Sequence, residues 1–234
     1  MERLYKWRVS KDETEMTGAA AVLLSISDLG LILHSPLWCS ALTSRKIARY
    51  QPSWNQRLYS TFVEEEDLVF GSKKKLEAAL QKIKQNDPCS LIGVAVNCAP
   101  ALVGDDIEGI CNSVIHRPVV VVDAGGFSGE ADQGWSDGML GLLKKVSSFS
   151  DKRYVDTINL IGGAIYDASS QGRIAQQKIK NPDMQCRIPG YEEMRFAELS
   201  RLSEASLNIV LHPRGLEIAR WMKNNCDQPY VSVY

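Results

Sequence analysis

Five short apolar runs constrain this chain most: Leu29 to Leu33, Ser90 to Val96, Val119 to Val122, Thr157 to Ile161 and Leu207 to Leu211. They are rich in β-branched residues and do not alternate with polar ones. A strand that faces water on one side alternates, whereas an unbroken apolar strand must be covered on both faces. Helical patterns separate the runs. Lys73 to about Gln85 puts Leu76, Ala79, Leu80 and Ile83 on one face, with Ser72 placed to cap it. Asp105 or Asp106 leads into a helix through Ile107, Ile110 and Val114, and Asp137 is placed to open another through Met139, Leu142, Leu143 and Val146. Pro229 to Tyr234 reads as a last strand. Strand and helix in alternation predict an α/β fold built on doubly wound parallel sheets.

The stretch Ser147 to Asp151, Ser-Ser-Phe-Ser-Asp, interrupts this alternation, and a second series of strands and helices begins at Thr157. The expected division is a first α/β domain over 1–150 and a smaller second one over 151–234. A chain of 234 residues with 44% hydrophobic and 24% charged residues has the makings of ordinary globular cores. Its formal net charge of −1 argues against nucleic acid or an anionic membrane as partner. No apolar stretch approaches the ~20 residues that span a bilayer. Met1 to Asp12 lacks the apolar core of a signal peptide, so a cytoplasmic location is expected.

Six cysteines are scattered along the chain with no CxxC pair, a pattern that favours metal binding or packing over a disulfide framework. Cys39, in His34-Ser-Pro-Leu-Trp-Cys39, and Cys98, in Asn97-Cys-Ala-Pro100, each lie just past the carboxyl end of an apolar run. In an open α/β sheet ligands bind at that edge. Two thiolates there could hold a metal cluster; small cysteines at strand ends also serve simply as packing residues, and spacing alone leaves both roles open. For Cys89, Cys111, Cys186 and Cys226 packing is the default. Asp105 and Asp106 are expected to cap and to brace the loop that carries Cys98. The run Gly125-Gly126-Phe127-Ser128-Gly129, then Gly134-Trp135, stands between a strand and a helix, where glycines either admit a ligand to the backbone or make a turn. Its spacing is not GxGxxG, and Phe70-Gly-Ser-Lys73 lacks the leading glycine of a P-loop, so no nucleotide site is indicated. Three dispersed histidines without GxSxG or HExxH give hydrolase chemistry no support.

In their common order these segments resemble the nitrogenase component 1 superfamily, which holds the molybdenum–iron protein subunits, their cofactor-assembly paralogues and nitrogenase-like reductases. Thr17-Gly-Ala-Ala-Ala with Ile26-Ser-Asp28 is similar to the family's first helix, and His34 to Cys39 to its HGPxGC. Glu64 to Gly71 with Lys75-Leu76, Asn97-Cys98 through Asp106, Gly126-Phe-Ser-Gly129, and Leu207-Asn-Ile-Val210 with Pro229-Tyr230 resemble later family motifs. The resemblance implies Rossmann-like doubly wound sheets forming two of the family's three domains, in a shortened relative. It further implies an iron–sulfur cluster, 4Fe–4S in type, bridging two subunits through Cys39 and Cys98 of each, in a homodimer or a heterodimer with a paralogous chain. An iron-protein-like ATPase would supply electrons, and Gly126, Phe127 and Gly129 with His212 and Arg214 would bind cofactor or substrate; the Gly126 to Trp135 loop and the His212–Arg214 loop would line the cavity. The implied function is an oxidoreductase component passing electrons to a substrate; the alternative is a non-catalytic scaffold for cluster or cofactor assembly, and a third option is a fold that has lost its cluster.

Departures from the family pattern bear on that choice. Val9 to Thr17 carries no cysteine, which leaves Asp12, Glu13 and Glu15 as the only candidate replacements for the family's first ligand. His212 falls where catalytic subunits carry a cofactor-binding cysteine, and about Ser136 where they carry a histidine. Together with the missing third domain, these argue against a dinitrogen-reducing subunit.

Overall fold

The apolar runs are parallel strands sorted into two four-stranded sheets. The structure is a computed structural model that describes residues 13–86, 88–126 and 130–234. The first half runs α1 (Glu15–Leu24), β1 (Leu29–His34), α2 (Leu37–Tyr50), β2 (Leu58–Ser60), α3 (Glu65–Phe70), α4 (Lys73–Asn86), β3 (Leu91–Val96), α5 (Cys98–Val103), α6 (Ile107–Val114) and β4 (Val119–Asp123). The second runs α7 (Ala131–Lys144), β5 (Tyr154–Ile161), α8 (Ala168–Lys180), β6 (Gln185–Arg187), β7 (Ala205–Val210), α9 (Leu216–Cys226) and β8 (Tyr230–Ser232).

The strand orders are β2-β1-β3-β4 and β6-β5-β7-β8, every pair parallel. Each sheet therefore repeats one topology: the second strand docks on one side of the first, and the third docks on the other. The crevice between first and third strands, outside their carboxyl ends, is the topological switch point where α/β sheets take ligands. All residues of β1 and β3 are buried, which accounts for their unbroken apolar character.

Helices α1 and α7 join the two halves. All ten residues of α1 are buried, and its Gly18-Ala-Ala-Ala21 face lets α7 approach backbone to backbone. A Cβ on Gly18 would overlap the Ala131 carbonyl, and one on Gly134 would overlap the carbonyl of Glu15. This contact explains why α7 starts at Ala131 and not at Asp137: Gly134 must already be helical to meet α1. The same helix stops at Lys144, short of Val146. One buried core continues from α1 and α7 into both sheets, with Leu33 and Val122 from the first and Ile161 and Val210 from the second.

Polar groups fix the joint. Arg57 donates to the carbonyls of Leu24 (2.8 Å), Ile26 (2.6 Å) and Leu29 (3.2 Å), closing the end of α1, and pairs with Glu193 of the second half at 3.2 Å. The Phe196 amide donates to Asp28 Oδ1 at 2.7 Å. In the second sheet, Asn159 Nδ2 donates to Asn208 Oδ1 (2.8 Å) and Asn208 Nδ2 to Gln228 Oε1 (3.3 Å); Gln228 in turn donates to the Leu202 and Ala205 carbonyls. This buried amide chain links the Leu207-Asn-Ile-Val motif to the segment before Pro229. Two strands had no sequence signal: β2 and β6 are three-residue edge strands with no fully buried position. Strand β5 also begins earlier than the apolar run Thr157 to Ile161, with Tyr154 to Asp156 exposed.

Candidate functional site

Both switch points carry a candidate site. At the first, Cys39 is the third residue of α2 and Cys98 the first of α5, so both thiols lie beside the carboxyl ends of the paired strands β1 and β3. Partial burial pushes the Cys39 thiol up, and the neighbouring Cys98 adds to the effect, so the fold brings the two sulfurs within electrostatic reach. Cys98 Sγ also contacts Asn97 Oδ1 at 3.1 Å.

A buried relay holds the loops that carry them. Asp105 Oδ2 accepts from both the amide and the hydroxyl of Ser72, each at 2.7 Å. With its proton given to Asp105, the Ser72 oxygen accepts from His34 Nε2 at 2.9 Å, and His34 Nδ1 accepts from the Thr61 hydroxyl at 3.1 Å. His34 is fully buried and neutral: burial pushes its pKa down to about 4, against the pull of Asp105 and Asp67. Asp106 caps α6 through the Gly109 amide at 2.9 Å. Ser72 thus does more than open α4; it ties β1, the end of β2 and the loop after α5 into one edge.

The candidate carboxylate ligands are otherwise engaged. Glu13 accepts from the Tyr50 hydroxyl at 2.7 Å and pairs with Lys46 at 3.3 Å, and Glu15 accepts from the Gly126 amide. Asp12 lies outside the described residues. Among the described residues no group of three or more His, Cys, Asp or Glu side chains converges as a metal site. The chain therefore offers two thiols at this edge, half of the set that a four-thiolate cluster needs. Around them stand exposed apolar side chains: Leu37, Trp38 (83% exposed) and Leu42 on α2, Phe62, then Leu68, Val69 and Phe70 (86%) on α3, and Leu102 on α5. Leu37 and Phe62 line one cavity of about 240 Å3, and α3 packs on α5.

At the second switch point, the loop after β5 and the loop after β7 meet. Gly162, at φ 93°, stands where a Cβ would come within 3.0 Å of the His212 carbonyl oxygen. A cleft of about 150 Å3 is lined by Asp132, Tyr166, Asp167, Ser169, His212 and Arg214. Arg214 is its centre. Its Nε donates to His212 Nδ1 at 3.0 Å, its Nη2 to Asp167 Oδ2 at 2.5 Å, and its guanidinium carbon lies 5.4 Å from the centre of the Tyr166 ring. Burial alone would raise the Asp167 carboxyl. The hydroxyl and amide of Ser169, with Arg214 and Arg173, instead hold it well below the usual carboxylate range. Ser136 Oγ donates to the Arg214 carbonyl at 2.6 Å, fixing the loop to α7.

The structure thus joins Cys39 with Cys98, and His212 with Arg214, on different sheets. Gly126 sits at φ 76°, but Phe127 and Gly129 lie outside the described residues. Trp135, expected to line the cavity, is fully buried, its Nε1 donating to the Gly190 carbonyl at 3.4 Å. The helical start of α7 turns it into the core. Sequence reasoning missed Asp132, Tyr166 and Asp167. Asp167-Ala-Ser-Ser after a strand is a recognisable cap signal; Asp132 and Tyr166 carry no local pattern.

Residues 14–234 match the family described as nitrogenase component 1 type oxidoreductase, and the chain belongs to that family. Among its relatives is the nitrogenase iron-molybdenum cofactor biosynthesis protein NifE of Nostoc sp. (strain PCC 7120 / SAG 25.82 / UTEX 2576). It is 30% identical over 92% of this chain and 46% of the relative. The NifE protein of Clostridium pasteurianum is 26% identical over 96% and 50%. A solved structure, "Nitrogenase Cp1 at pH 5", superposes with a TM-score of 0.76 at 21% identity over 94% of this chain and 47% of that one, which shows the shared fold. The chain spans about half the length of the curated relatives it matches.

Proposed function

We propose that this protein is a scaffold that holds an iron–sulfur cluster or cofactor precursor during metallocofactor assembly. The observation that carries the reading is the pair Cys39 and Cys98, within electrostatic reach of each other at a switch point, on helices α2 and α5 that also carry the exposed apolar Leu37, Trp38, Leu42 and Leu102. Two thiols of one chain and two of a second complete a four-thiolate set for a 4Fe–4S cluster at an isologous or pseudo-symmetric interface. The second chain is another copy or a paralogue. Relatives named for cofactor biosynthesis support assembly over catalysis, as does His212, an imidazole whose Nδ1 accepts from Arg214, at the position where the resemblance places a catalytic subunit's cofactor-binding cysteine.

The cluster, when bound, would supply a redox centre. This chain's residues would fix its position through the rigid relay of His34, Ser72 and Asp105 and exclude water with the apolar rim. The second reading is an electron-passing component that draws on an iron-protein-like ATPase. The family's description as an oxidoreductase favours it.

The test is iron and acid-labile sulfide per dimer on anaerobically purified protein, with an EPR spectrum after dithionite. About four irons per dimer, lost in Cys39→Ser and in Cys98→Ser together with the dimer, supports the interface cluster. Iron retained in both variants overturns it. Oxidation of the dithionite-reduced cluster by a substrate, followed by re-reduction that depends on ATP and an added iron-protein-like ATPase, would shift the assignment from scaffold to reductase.

A further inference from the structure

The second switch point holds a donor set that the cluster reading does not use. Arg214 has a side chain only 2% exposed, yet its Nη1 makes no hydrogen bond. Asp132 Oδ1 stands 2.8 Å away but off the N–H directions, so the two groups attract as charges only. Behind the cleft lining, Arg173 shares Asp167 Oδ2 with Arg214 and has a second buried guanidinium donor, its Nε, without a hydrogen-bond partner. Leaving such donors unsatisfied costs about 1–3 kcal/mol each, more for charged groups.

The histidine adds a third donor. His212 Nδ1 accepts from the Arg214 amide (3.4 Å) and from Arg214 Nε (3.0 Å). An imidazole nitrogen that accepts carries no proton, so the ring proton sits on Nε2. His212 lines the cleft, and Nε2–H is the donor its ring has to offer there. It cannot act as a metal ligand until Arg214 lets go of Nδ1, which puts a metal–nitrogen bond at this position at odds with the loop's own hydrogen bonds.

From these donors we infer that the cleft between Asp132, Ser169, His212 and Arg214 binds a small oxyanion group, a carboxylate or a tetrahedral anion, which replaces Asp132 on Arg214. The cleft volume of about 150 Å3 corresponds to roughly five waters at about 30 Å3 each, room for such a group. Asp132 is the more readily displaced partner: its side chain is 45% exposed and held besides Arg214 by the Tyr166 hydroxyl at 3.1 Å, with His212 Nδ1 3.5 Å away, whereas that of Asp167 is 19% exposed and pinned by Ser169, Arg173 and Arg214. Tyr166 under the guanidinium keeps Arg214 in place while its partner exchanges. The formal charges of Arg214 and Arg173 balance those of Asp132 and Asp167, so an incoming anion gains only when Asp132 leaves. The site needs neither cysteine and stands whether or not the cluster reading does.

Titration calorimetry of the full chain with millimolar sodium sulfate, and separately sodium acetate, at constant ionic strength in chloride tests this. The concentrations stay below those at which sulfate stabilises proteins by exclusion. Saturable heat is expected for at least one anion; which one distinguishes a tetrahedral from a carboxylate ligand. Asp132→Asn removes the competing charge and is expected to tighten binding about tenfold. His212→Phe is expected to weaken it about fivefold through the lost donor, and Arg214→Gln to abolish it. Since Arg214→Gln breaks buried ion pairs, the His212→Phe and Asp132→Asn variants decide the matter if it fails to fold. No saturable binding of either anion to the parent and to Asp132→Asn overturns the inference, as does binding unmoved by His212→Phe.

Discussion

Gly134→Ala and Gly172→Ala make the same chemical change inside a helix and are expected to move stability in opposite directions. Intrinsic propensity favours Ala over Gly by about 1 kcal/mol in both helices. Gly172 lies on an exposed turn of α8, and a Cβ there meets nothing within 4 Å. The propensity gain survives there, about 0.5–1 kcal/mol, a rise in Tm of roughly 1–4 °C for a chain of this size. At Gly134 the added Cβ lies well under 3.0 Å from the Glu15 carbonyl and 3.0 Å from the Ala19 nitrogen. Both are backbone atoms of a helix buried on every side, so no side chain can rotate away. Helix α1 must instead move off α7 along a face where Gly18 meets Ala131 and Gly138 meets Val22. A gap of about 0.5–1 Å forfeits a quarter to a half of each dispersion contact along it, which places the overpacking cost near about 3 kcal/mol. Net of propensity, Gly134→Ala is expected to lose about 2 kcal/mol, or roughly 4–8 °C in Tm. Urea unfolding followed by circular dichroism reads both, with an unchanged m-value as the check that only stability moved. A Gly134→Ala protein as stable as the parent would refute the close α1–α7 approach; a destabilised Gly172→Ala would refute the propensity term.

Two further outcomes follow from buried polar groups. His34 has a folded pKa of about 4 against an unfolded 6.5, so its contribution is complete above pH 6.5 and is lost as pH falls toward 4. The parent is expected to lose about 2 kcal/mol from this group between pH 7 and pH 5, and His34→Gln to flatten that slope; an unchanged slope in urea titrations at the two pH values would contradict the neutral, buried ring. Asn208→Leu leaves the buried Gln228 Oε1 without its donor and removes one of the two acceptors of Asn159 Nδ2, and a loss of about 1–3 kcal/mol in the same assay is expected, whereas a neutral effect would mean the amide chain is dispensable.

The central strands were legible because burial on both faces leaves a run of apolar residues that no other element of that length shows. Leu29 to Leu33 and Ser90 to Val96 each match an observed strand, β1 and β3, to within a residue. Edge strands β2 and β6 were invisible because they are short and half exposed, so neither period nor burial leaves a mark. The start of α7 was misplaced because its glycines look like a loop in one dimension; their helical conformation is dictated by α1, more than a hundred residues earlier in the chain. The same limit applies to the sites. Cys39 and Cys98 could be paired because both follow readable strands. The cleft around Arg214 draws on Asp132, Tyr166 and Asp167, whose meeting is set by how α7 docks on the second sheet, and that docking has no local signature.

The repeated topology makes the two switch points comparable residue by residue. Cys98 stands two positions past β3 and His212 two positions past β7, the equivalent third strands. What surrounds each decides its chemistry. The first edge has two thiols, a relay around a His34 kept neutral by burial, and a rim whose Trp38, Val69, Phe70 and Leu102 face water. Covering that rim with a second apolar surface releases water from all of them at about 25 cal/mol per Å2, and a buried cluster between the surfaces gains from the same exclusion. The second edge has the opposite balance: two arginines and two carboxylates already paired, a polar cleft open to solvent, and donors in excess of aligned acceptors. A large apolar partner there would strand those charges at a cost of several kcal/mol, whereas a small oxyanion satisfies them. On the proposed readings, protein and metal chemistry would belong to the first edge and small-solute recognition to the second, with the α1–α7 joint holding the two edges in one core.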